Sequence, residues 1–263
     1  MILHSQIIGQ GCPFVILHGF LGMGDNWKTL GNRFSKQGYQ IHLIDQRNHG
    51  RSFHHKNFNY TVMVEDLKAY CDYYQLKKMV LLGHSMGGKT AMFFANTFPD
   101  CVEKLIVADI SPKHYPPHHQ YILKALSELD KKLQNNEISS RKKADEVLSN
   151  YIDSYAIRQF LLKNLYWKEK GSLGLRINLS VLVKNIEEIG KSLPEHAFFS
   201  GETLFLKGAK STYIEWNDES LIKKHFPKAV IKTIENAGHW LHAENPNQFY
   251  EEIMVFLSEK MTG

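Results

Sequence analysis

The sequence predicts an α/β protein, with a mostly parallel sheet, helices on both faces of it and a helical insertion. Short apolar runs, each ended by Gly or Asp, alternate with helical stretches in the first 112 residues. The alternation returns after residue 200, whereas the segment between shows apolar residues at helical spacing. Alternating strands and helices build parallel sheets that are covered on both sides. We therefore expect a core of residues 1–112 and 201–263 and a helical lid of residues 113–200.

The strands and helices of the core are predicted from this alternation in chain order. Six apolar runs of four to six residues are typical of strands buried on both faces. They cover residues 14–17, 39–44, 79–82, 105–108, 203–206 and 230–234. Helices are predicted over residues 62–74, over 87–98, where Pro99 follows, and over 246–260.

The segment 113–200 contains no run that predicts a buried strand. Its apolar residues fall into helical groups around residues 122–129, 147–152, 157–165 and 179–186. It holds 14 Lys and Arg against 10 Asp and Glu, and so carries most of the net charge of +5. A solvated helical surface accounts for this charge, and a lid that attracts anionic substrates is the alternative interpretation.

Composition excludes several classes of protein. The chain of 263 residues is 43% hydrophobic and 22% charged, which is typical of globular domains. No apolar run approaches the ~20 residues that span a bilayer, and the N-terminal residues do not resemble a signal peptide. Cys12, Cys71 and Cys101 form no disulfide framework, so a cytoplasmic location is expected. Lys and Arg are mixed with Asp and Glu, so no nucleic-acid partner is expected.

Residues 83–87 carry the strongest chemical signal. Gly83-His84-Ser85-Met86-Gly87 is a G-x-S-x-G motif directly after a predicted strand and directly before a predicted helix. The glycines allow a sharp turn that exposes the serine at the carboxyl end of the sheet. Ser85 is therefore the predicted nucleophile.

A serine hydroxyl needs a base and an oxyanion hole before it can act as a nucleophile. His239 follows the last predicted strand and comes after Ser85 in chain order, as the base does in this type of enzyme. The loop His18-Gly19-Phe20-Leu21-Gly22 follows the first predicted strand. We expect the backbone N–H groups of Phe20 and Met86 to bind the oxyanion.

Together these motifs resemble the α/β-hydrolase superfamily over almost the entire chain. The run Asp45-Gln46-Arg47-Asn48-His49-Gly50-Arg51-Ser52 resembles its D-x-R-x-H-G-x-S turn. Three features resemble a narrower group, the small bacterial esterases related to the abhydrolase-domain-containing protein 11. They are Asn48, the serine turn 83–87 (the nucleophile elbow) continued through Gly88-Lys89, and the run Asp109-Ile110-Ser111-Pro112. The resemblance implies carboxylesterase or acyl-CoA thioesterase activity on short acyl groups.

The third member of the triad is less clear from the sequence. The acid of this superfamily usually follows the seventh strand in a G-x-x-D turn, which here reads Gly208-Ala209-Lys210-Ser211. The narrower group has its acid after the preceding strand, where this chain has Asp109. We therefore expect Asp109 to orient His239. Glu215 and Asp218 are the alternatives.

The predicted function is hydrolysis of a small acyl ester or acyl-CoA by Ser85, His239 and Asp109, in a monomer or homodimer. No cofactor is expected, and His54, His55, His114, His118 and His119 lack the spacing of a metal site. A C–C hydrolase or lyase with the same triad, or a non-catalytic ligand-binding protein, are the alternatives. Haloalkane dehalogenases and epoxide hydrolases of this fold carry Asp at the elbow, which argues against both.

Overall fold

The computed structural model describes residues 1–117 and 119–258, and its centre is a seven-stranded sheet. The strands of the chain are β1 Ser5–Ile8, β2 Cys12–Leu17, β3 Tyr39–Ile44, β4 Met79–His84, β5 Val102–Ala108, β6 Leu165–Glu169, β7 Ser172–Leu175, β8 Glu202–Gly208 and β9 Ala229–Ile234. The order in the large sheet is β1-β3-β2-β4-β5-β8-β9. Only its edge strand β1 is antiparallel to its neighbour, so the predicted mostly parallel α/β sheet is confirmed.

Helices cover both faces of this sheet. The helices are α1 Lys28–Ser35, α2 Tyr60–Tyr73, α3 Met86–Thr97, α4 Gln120–Gln134, α5 Arg141–Ser149, α6 Tyr155–Leu162, α7 Leu179–Lys184, α8 Ile186–Ile189, α9 Asp218–His225, α10 Leu241–Glu244 and α11 Pro246–Ser258. Successive side chains of a strand point to opposite faces. Leu81 of β4 accordingly packs in the cluster that includes α2, α3 and α9, whereas Val80 and Leu82 pack in the cluster that includes α1 and α11.

The apolar runs predicted all six parallel strands, with ends that differ by up to three residues. In the core, the sequence analysis missed β1, α1, α9 and α10. β1 is short and only partly buried, so its sequence has no apolar run. The predicted last helix is described as far as Ser258, and residues 259–263 lie outside the described residues. No helix in the described part of the chain combines the length and apolarity that crossing a bilayer requires.

Between β5 and β8, the described residues 109–117 and 119–201 contribute no strand to the large sheet. This segment contains α4–α8 and a two-stranded antiparallel hairpin of β6 and β7. The expectation that it contains no buried strand is wrong for β7, where residues 173–175 are buried. β6 is largely exposed, and the turn that joins it to β7 contains Gly171 at a φ of 88°. Neither strand therefore appears as an apolar run in the sequence. The insertion has its own apolar cluster, which also includes Phe20 and Met86 of the core.

Strand register brings the chemically important residues to one edge of the sheet. Leu17 of β2 is paired with Gly83 of β4, and His84 is paired with Ala108 of β5. Ser85 and Asp109 are the next residues after these strands. Because the strands are parallel, both residues lie at the carboxyl edge, beside the loops that follow β2, β8 and β9.

Lys89 connects the helix after Ser85 to both ends of the insertion. Its side chain is fully buried, and its ammonium group donates hydrogen bonds to the carbonyls of Pro112 (3.2 Å), Lys113 (2.5 Å) and Lys191 (2.7 Å). A buried ammonium group is tolerated only when its donors find acceptors. Here the three acceptors lie on the two segments through which the chain enters and leaves the insertion.

We expect Lys89→Met to lower the free energy of unfolding by about 2–4 kcal/mol, because one buried and two partly buried carbonyls lose their donor. Denaturant unfolding at neutral pH measures this difference. Lys68→Met is the control, since the Lys68–Asp72 pair lies on the helix surface and its loss should change stability by less than about 0.5 kcal/mol. Equal stability of the two variants would contradict the role of Lys89.

Candidate active site

Ser85 occupies a strained turn between β4 and α3. Its φ of 53° and ψ of −118° lie outside the regions that L-residues favour. The turn needs glycine at both flanking positions, because a Cβ on Gly83 would lie 2.1 Å from the carbonyl oxygen of Gly87, and one on Gly87 would lie 2.4 Å from that of Leu17. The sheet holds the turn, since the Ser85 amide donates to the Ala108 carbonyl at 3.0 Å. Ser85 is thereby presented at the first turn of α3.

His239 lies between Ser85 and Asp109. Its Nε2 is 3.1 Å from Ser85 Oγ, and its Nδ1 is 2.8 Å from Asp109 Oδ2. A carboxylate only accepts hydrogen bonds, so Nδ1 carries the proton and Nε2 is the acceptor for the serine hydroxyl. The Tyr213 ring stacks on the imidazole with 3.8 Å between centroids, and His84 Nε2–H donates to the His239 carbonyl at 2.8 Å.

Asp109 is fully buried at the end of β5. Its Oδ1 accepts the Gly208 N–H at 3.0 Å, and its Oδ2 accepts the Ser211 hydroxyl as well as the His239 ring. Burial raises the pKa of the Asp109 carboxyl to about 6, and the hydrogen bonds from Ser211 and Gly208 oppose that rise. Ser211, at the position where the superfamily usually has its acid, instead donates to the acid on the neighbouring strand.

The two alternative acids lie elsewhere. Asp218 pairs with Lys113 at 2.8 Å and accepts the Glu215 N–H, whereas Glu215 is exposed and lies 3.4 Å from the same lysine. The structure therefore brings Ser85, His239 and Asp109 together, whereas Glu215 and Asp218 pair with Lys113 instead.

The loop after β2 brings Phe20 beside Ser85, since both residues line the same two pockets. A turn closed by the Gly22 N–H on the Gly19 carbonyl (3.0 Å) shapes this loop, and Leu21 has a φ of 61°. The Leu21 N–H donates to His49 Nε2 at 3.2 Å, and Asn164 of the insertion donates to the Leu21 carbonyl at 2.9 Å. Met86 is the first residue of α3, so its N–H has no acceptor inside that helix. Phe20 and Met86 both line space beside Ser85.

Two buried neutral histidines hold this loop in place. His18 Nδ1–H donates to the Gly19 carbonyl at 2.8 Å, and its Nε2 accepts the Gln46 N–H at 3.0 Å. His49 Nδ1–H donates to the Arg47 carbonyl at 2.9 Å, which leaves its Nε2 free to accept the Leu21 amide. Burial lowers the pKa of His18 to about 4 and that of His49 to about 3. Each ring therefore keeps one tautomer at neutral pH.

The D-x-R-x-H-G-x-S turn therefore contacts the loop after β2 through His49, which accepts the Leu21 N–H. The rest of the turn is held by buried polar contacts: Asp45 accepts the N–H groups of Gly24 and Arg51, and Arg47 pairs with Asp66. Sequence reasoning found the motif but not its contact with the loop after β2. It also missed the roles of His84 and Ser211, which stand at variable or substituted motif positions, and of Tyr213, which lies in no motif.

Apolar space extends from Ser85 in two directions. One pocket, with a cavity volume of about 40 Å³, is lined by His239, Trp240, Phe160 and other residues. The second, with a cavity volume of about 30 Å³, lies beside Met86, Ile110 and Tyr115. Phe20 and His119 border both pockets. Residues of the insertion contribute to both, so it covers the site on either side of Ser85.

No group of three or more His, Cys, Asp or Glu side chains that could hold a metal ion occurs within residues 1–117 and 119–258. Of the histidines singled out in the sequence, His118 lies outside the described residues.

Comparison with known proteins gives one family and several relatives. The family described as alpha/beta hydrolase fold matches residues 13–246. The chain is similar to the "sn-1-specific diacylglycerol lipase ABHD11" of Mus musculus, at 38% identity over 93% of this chain and 80% of the relative. It is also similar to "Esterase YbfF" of Escherichia coli, at 30% identity over 94% and 93%. A solved structure titled "Marine microorganism esterase" shares 42% identity with a TM-score of 0.93, and the match covers 97% of this chain and 99% of that one.

We expect Asp109→Asn to lower kcat for ester hydrolysis by about 10⁴, the effect of the same change in a serine protease triad. The asparagine N–H₂ would face Nδ1 and favour the wrong tautomer of His239. Asp218→Asn and Glu215→Gln serve as matched controls and should stay within a few-fold of the parent. An active Asp109→Asn beside an inactive Asp218→Asn would move the acid to the loop after β8.

Although Asp109→Asn should lower activity, it should gain stability relative to the parent as the pH rises. The pKa of about 6 in the fold lies above the ordinary value of 3.8, so the folded state binds more protons between these pH values. The Asp109 contribution to stability therefore falls as the pH rises from about 4 to 6. The free energy of unfolding of the variant minus that of the parent should therefore rise by on the order of 1–3 kcal/mol from pH 4 to pH 8. Unfolding curves at both pH values measure this, and a variant that loses stability relative to the parent over that interval would contradict it.

Proposed function

This chain belongs to the α/β-hydrolase family, and we propose that it hydrolyses small carboxylic esters through an acyl-enzyme on Ser85, with His239 as base and Asp109 as the orienting acid. The observation that carries the proposal is the continuous hydrogen-bond chain from Ser85 Oγ through His239 to Asp109, with distances of 3.1 and 2.8 Å. Ser85, at the serine end of that chain, lies in the walls of two pockets whose lining is mostly apolar.

Acylation begins when Ser85 Oγ attacks the ester carbonyl and His239 Nε2 takes the hydroxyl proton. The tetrahedral intermediate places its negative oxygen against the amides of Phe20 and Met86. The Asp109 carboxylate stabilises the imidazolium that forms. When the intermediate collapses, the bond to the leaving alcohol breaks and His239 Nε2–H protonates the alcohol oxygen.

Deacylation repeats these steps with water. His239 removes a proton from the water that attacks the acyl carbon, and the same two amides bind the second oxyanion. Collapse breaks the bond to Ser85 Oγ, which regains its proton from His239 and releases the carboxylic acid. No step needs a metal or an organic cofactor, because the serine, the imidazole and water supply every proton and electron pair.

The relatives named esterase and lipase support an oxygen ester as substrate. A thioester uses the same machinery, since the leaving thiol needs no stronger acid than the leaving alcohol. The excess of Lys and Arg in residues 113–200 favours anionic thioesters such as acyl-CoA as a further substrate class. Cys12, Cys71 and Cys101 are all free thiols, which is consistent with work in the reducing cytoplasm.

We expect Ser85→Ala to lose at least about 10³-fold in kcat on p-nitrophenyl acetate and butyrate while keeping the parental melting curve. The panel includes one acyl-CoA to compare esters with thioesters. A fluorophosphonate probe should label the parent at Ser85 and should not label the variant.

Ser220→Ala is the control for this experiment, because Ser220 is exposed on α9. It should keep full activity and full labelling. Activity of Ser85→Ala within tenfold of the parent, or labelling at another residue, would overturn the assignment of the nucleophile.

A further inference from the structure

The two pockets beside Ser85 differ in their relation to His239. The larger pocket contains His239 itself in its wall, next to Trp240. The smaller pocket contains Met86 and Tyr213 but not the His239 ring. This difference decides which pocket holds which part of the ester, because the leaving alcohol must receive a proton from His239.

The leaving oxygen has to come within hydrogen-bond reach of His239 Nε2 when the tetrahedral intermediate collapses. The alcohol therefore extends into the pocket walled by His239. The acyl group, attached to the same carbon, has the pocket beside Met86, Ile110 and Tyr115. The cavity volume of that acyl pocket is about 30 Å³, and its lining includes Ile186, Ile189 and Pro117.

The alcohol pocket shares part of its wall with a second space, an outer groove with a cavity volume of about 340 Å³. Phe160 of the insertion and Trp240, directly after His239, line both spaces. Their rings are in contact, with 5.9 Å between centroids. Asn26 and His242 line both spaces as well, so four residues are shared between them.

The walls of the outer groove are suited to an apolar chain. Ala156 of α6 and Ala243 of α10 lie on either side, together with the two shared rings. Small alanine side chains leave the width of the groove open between these helices. Gln159, Lys163 and Glu244 provide the polar groups around it.

We propose that this outer groove binds the alcohol portion of the substrate, and that the protein prefers esters of an extended, largely apolar alcohol with a short acyl group. This inference rests on the proposed hydrolase function and extends it. The acyl pocket has a cavity volume of only about 30 Å³, whereas the outer groove, which shares Phe160 and Trp240 with the alcohol pocket, has about 340 Å³.

Two ester series, followed by titration of the released acid, test the proposal. The first lengthens the alcohol through methyl, butyl and octyl acetate, and the second lengthens the acyl group through methyl acetate, butanoate and octanoate. Burial of a methylene in an apolar site corresponds to up to about a fourfold gain in kcat/KM. We expect kcat/KM to rise along the alcohol series and to level off or fall along the acyl series.

Two matched variants distinguish the role of the outer groove from that of the acyl pocket. Ala156→Trp adds bulk at an exposed position of α6 and should lower the ratio of kcat/KM for octyl over methyl acetate at least tenfold. Ile186→Phe narrows the acyl pocket and should lower the ratio for methyl octanoate over methyl acetate, without a comparable change in the alcohol ratio.

The proposal is overturned if octyl acetate is no better than methyl acetate, or if Ala156→Trp changes both ratios equally or neither. In those outcomes the esters are still hydrolysed in a Ser85-dependent way, so the hydrolase function stands. If no ester of either series is hydrolysed and the fluorophosphonate leaves Ser85 unlabelled, the hydrolase function fails and this inference fails with it.

Discussion

The site depends on one interaction, the hydrogen bond from His239 Nδ1–H to the Asp109 carboxylate. It fixes the tautomer of the imidazole and so decides whether Nε2 can accept the proton of Ser85. The carboxylate is fully buried, and its charge is supported by donors from Gly208 and Ser211 as well as from His239. Those donors come from the last residue of β8 and from the loops after β8 and β9. The buried carboxylate after β5 therefore has its hydrogen-bond donors on neighbouring parts of the sheet edge.

The sheet also carries the backbone strain that this arrangement requires. Ser85 and Asp109 are both non-glycine residues with positive φ, of 53° and 50°. Such conformations cost on the order of 1–3 kcal/mol each and persist only where the surroundings enforce them. The amide of each residue bonds to the next strand, Ser85 to Ala108 at 3.0 Å and Asp109 to Leu206 at 2.8 Å. The parallel ladder therefore extends one residue past β4 and β5 and holds both functional residues in place.

The sequence predicts those elements whose residues form a recognisable local pattern. Buried parallel strands appear as apolar runs, and the Ser85 turn appears as paired glycines, so the sheet and the predicted nucleophile could be read directly. The edge strand β1 and the hairpin of β6 and β7 are half-exposed and have no such pattern. The choice between Asp109 and the acids near residue 215 depends on contacts between distant segments, which periodicity cannot supply. For the same reason, the support that His49 and His84 give to the site was visible only in three dimensions.

The central claim is that Ser85, His239 and Asp109 act as one unit, with the amides of Phe20 and Met86 facing the developing oxyanion. A crystal structure of the protein after reaction with a small alkyl fluorophosphonate tests it most directly, because the phosphorus adduct imitates the tetrahedral intermediate. The account predicts the adduct on Ser85, its phosphoryl oxygen within hydrogen-bond distance of both amides, and His239 still bonded to Asp109. A phosphoryl oxygen turned away from these amides, or a His239 bonded to another acid, would contradict it.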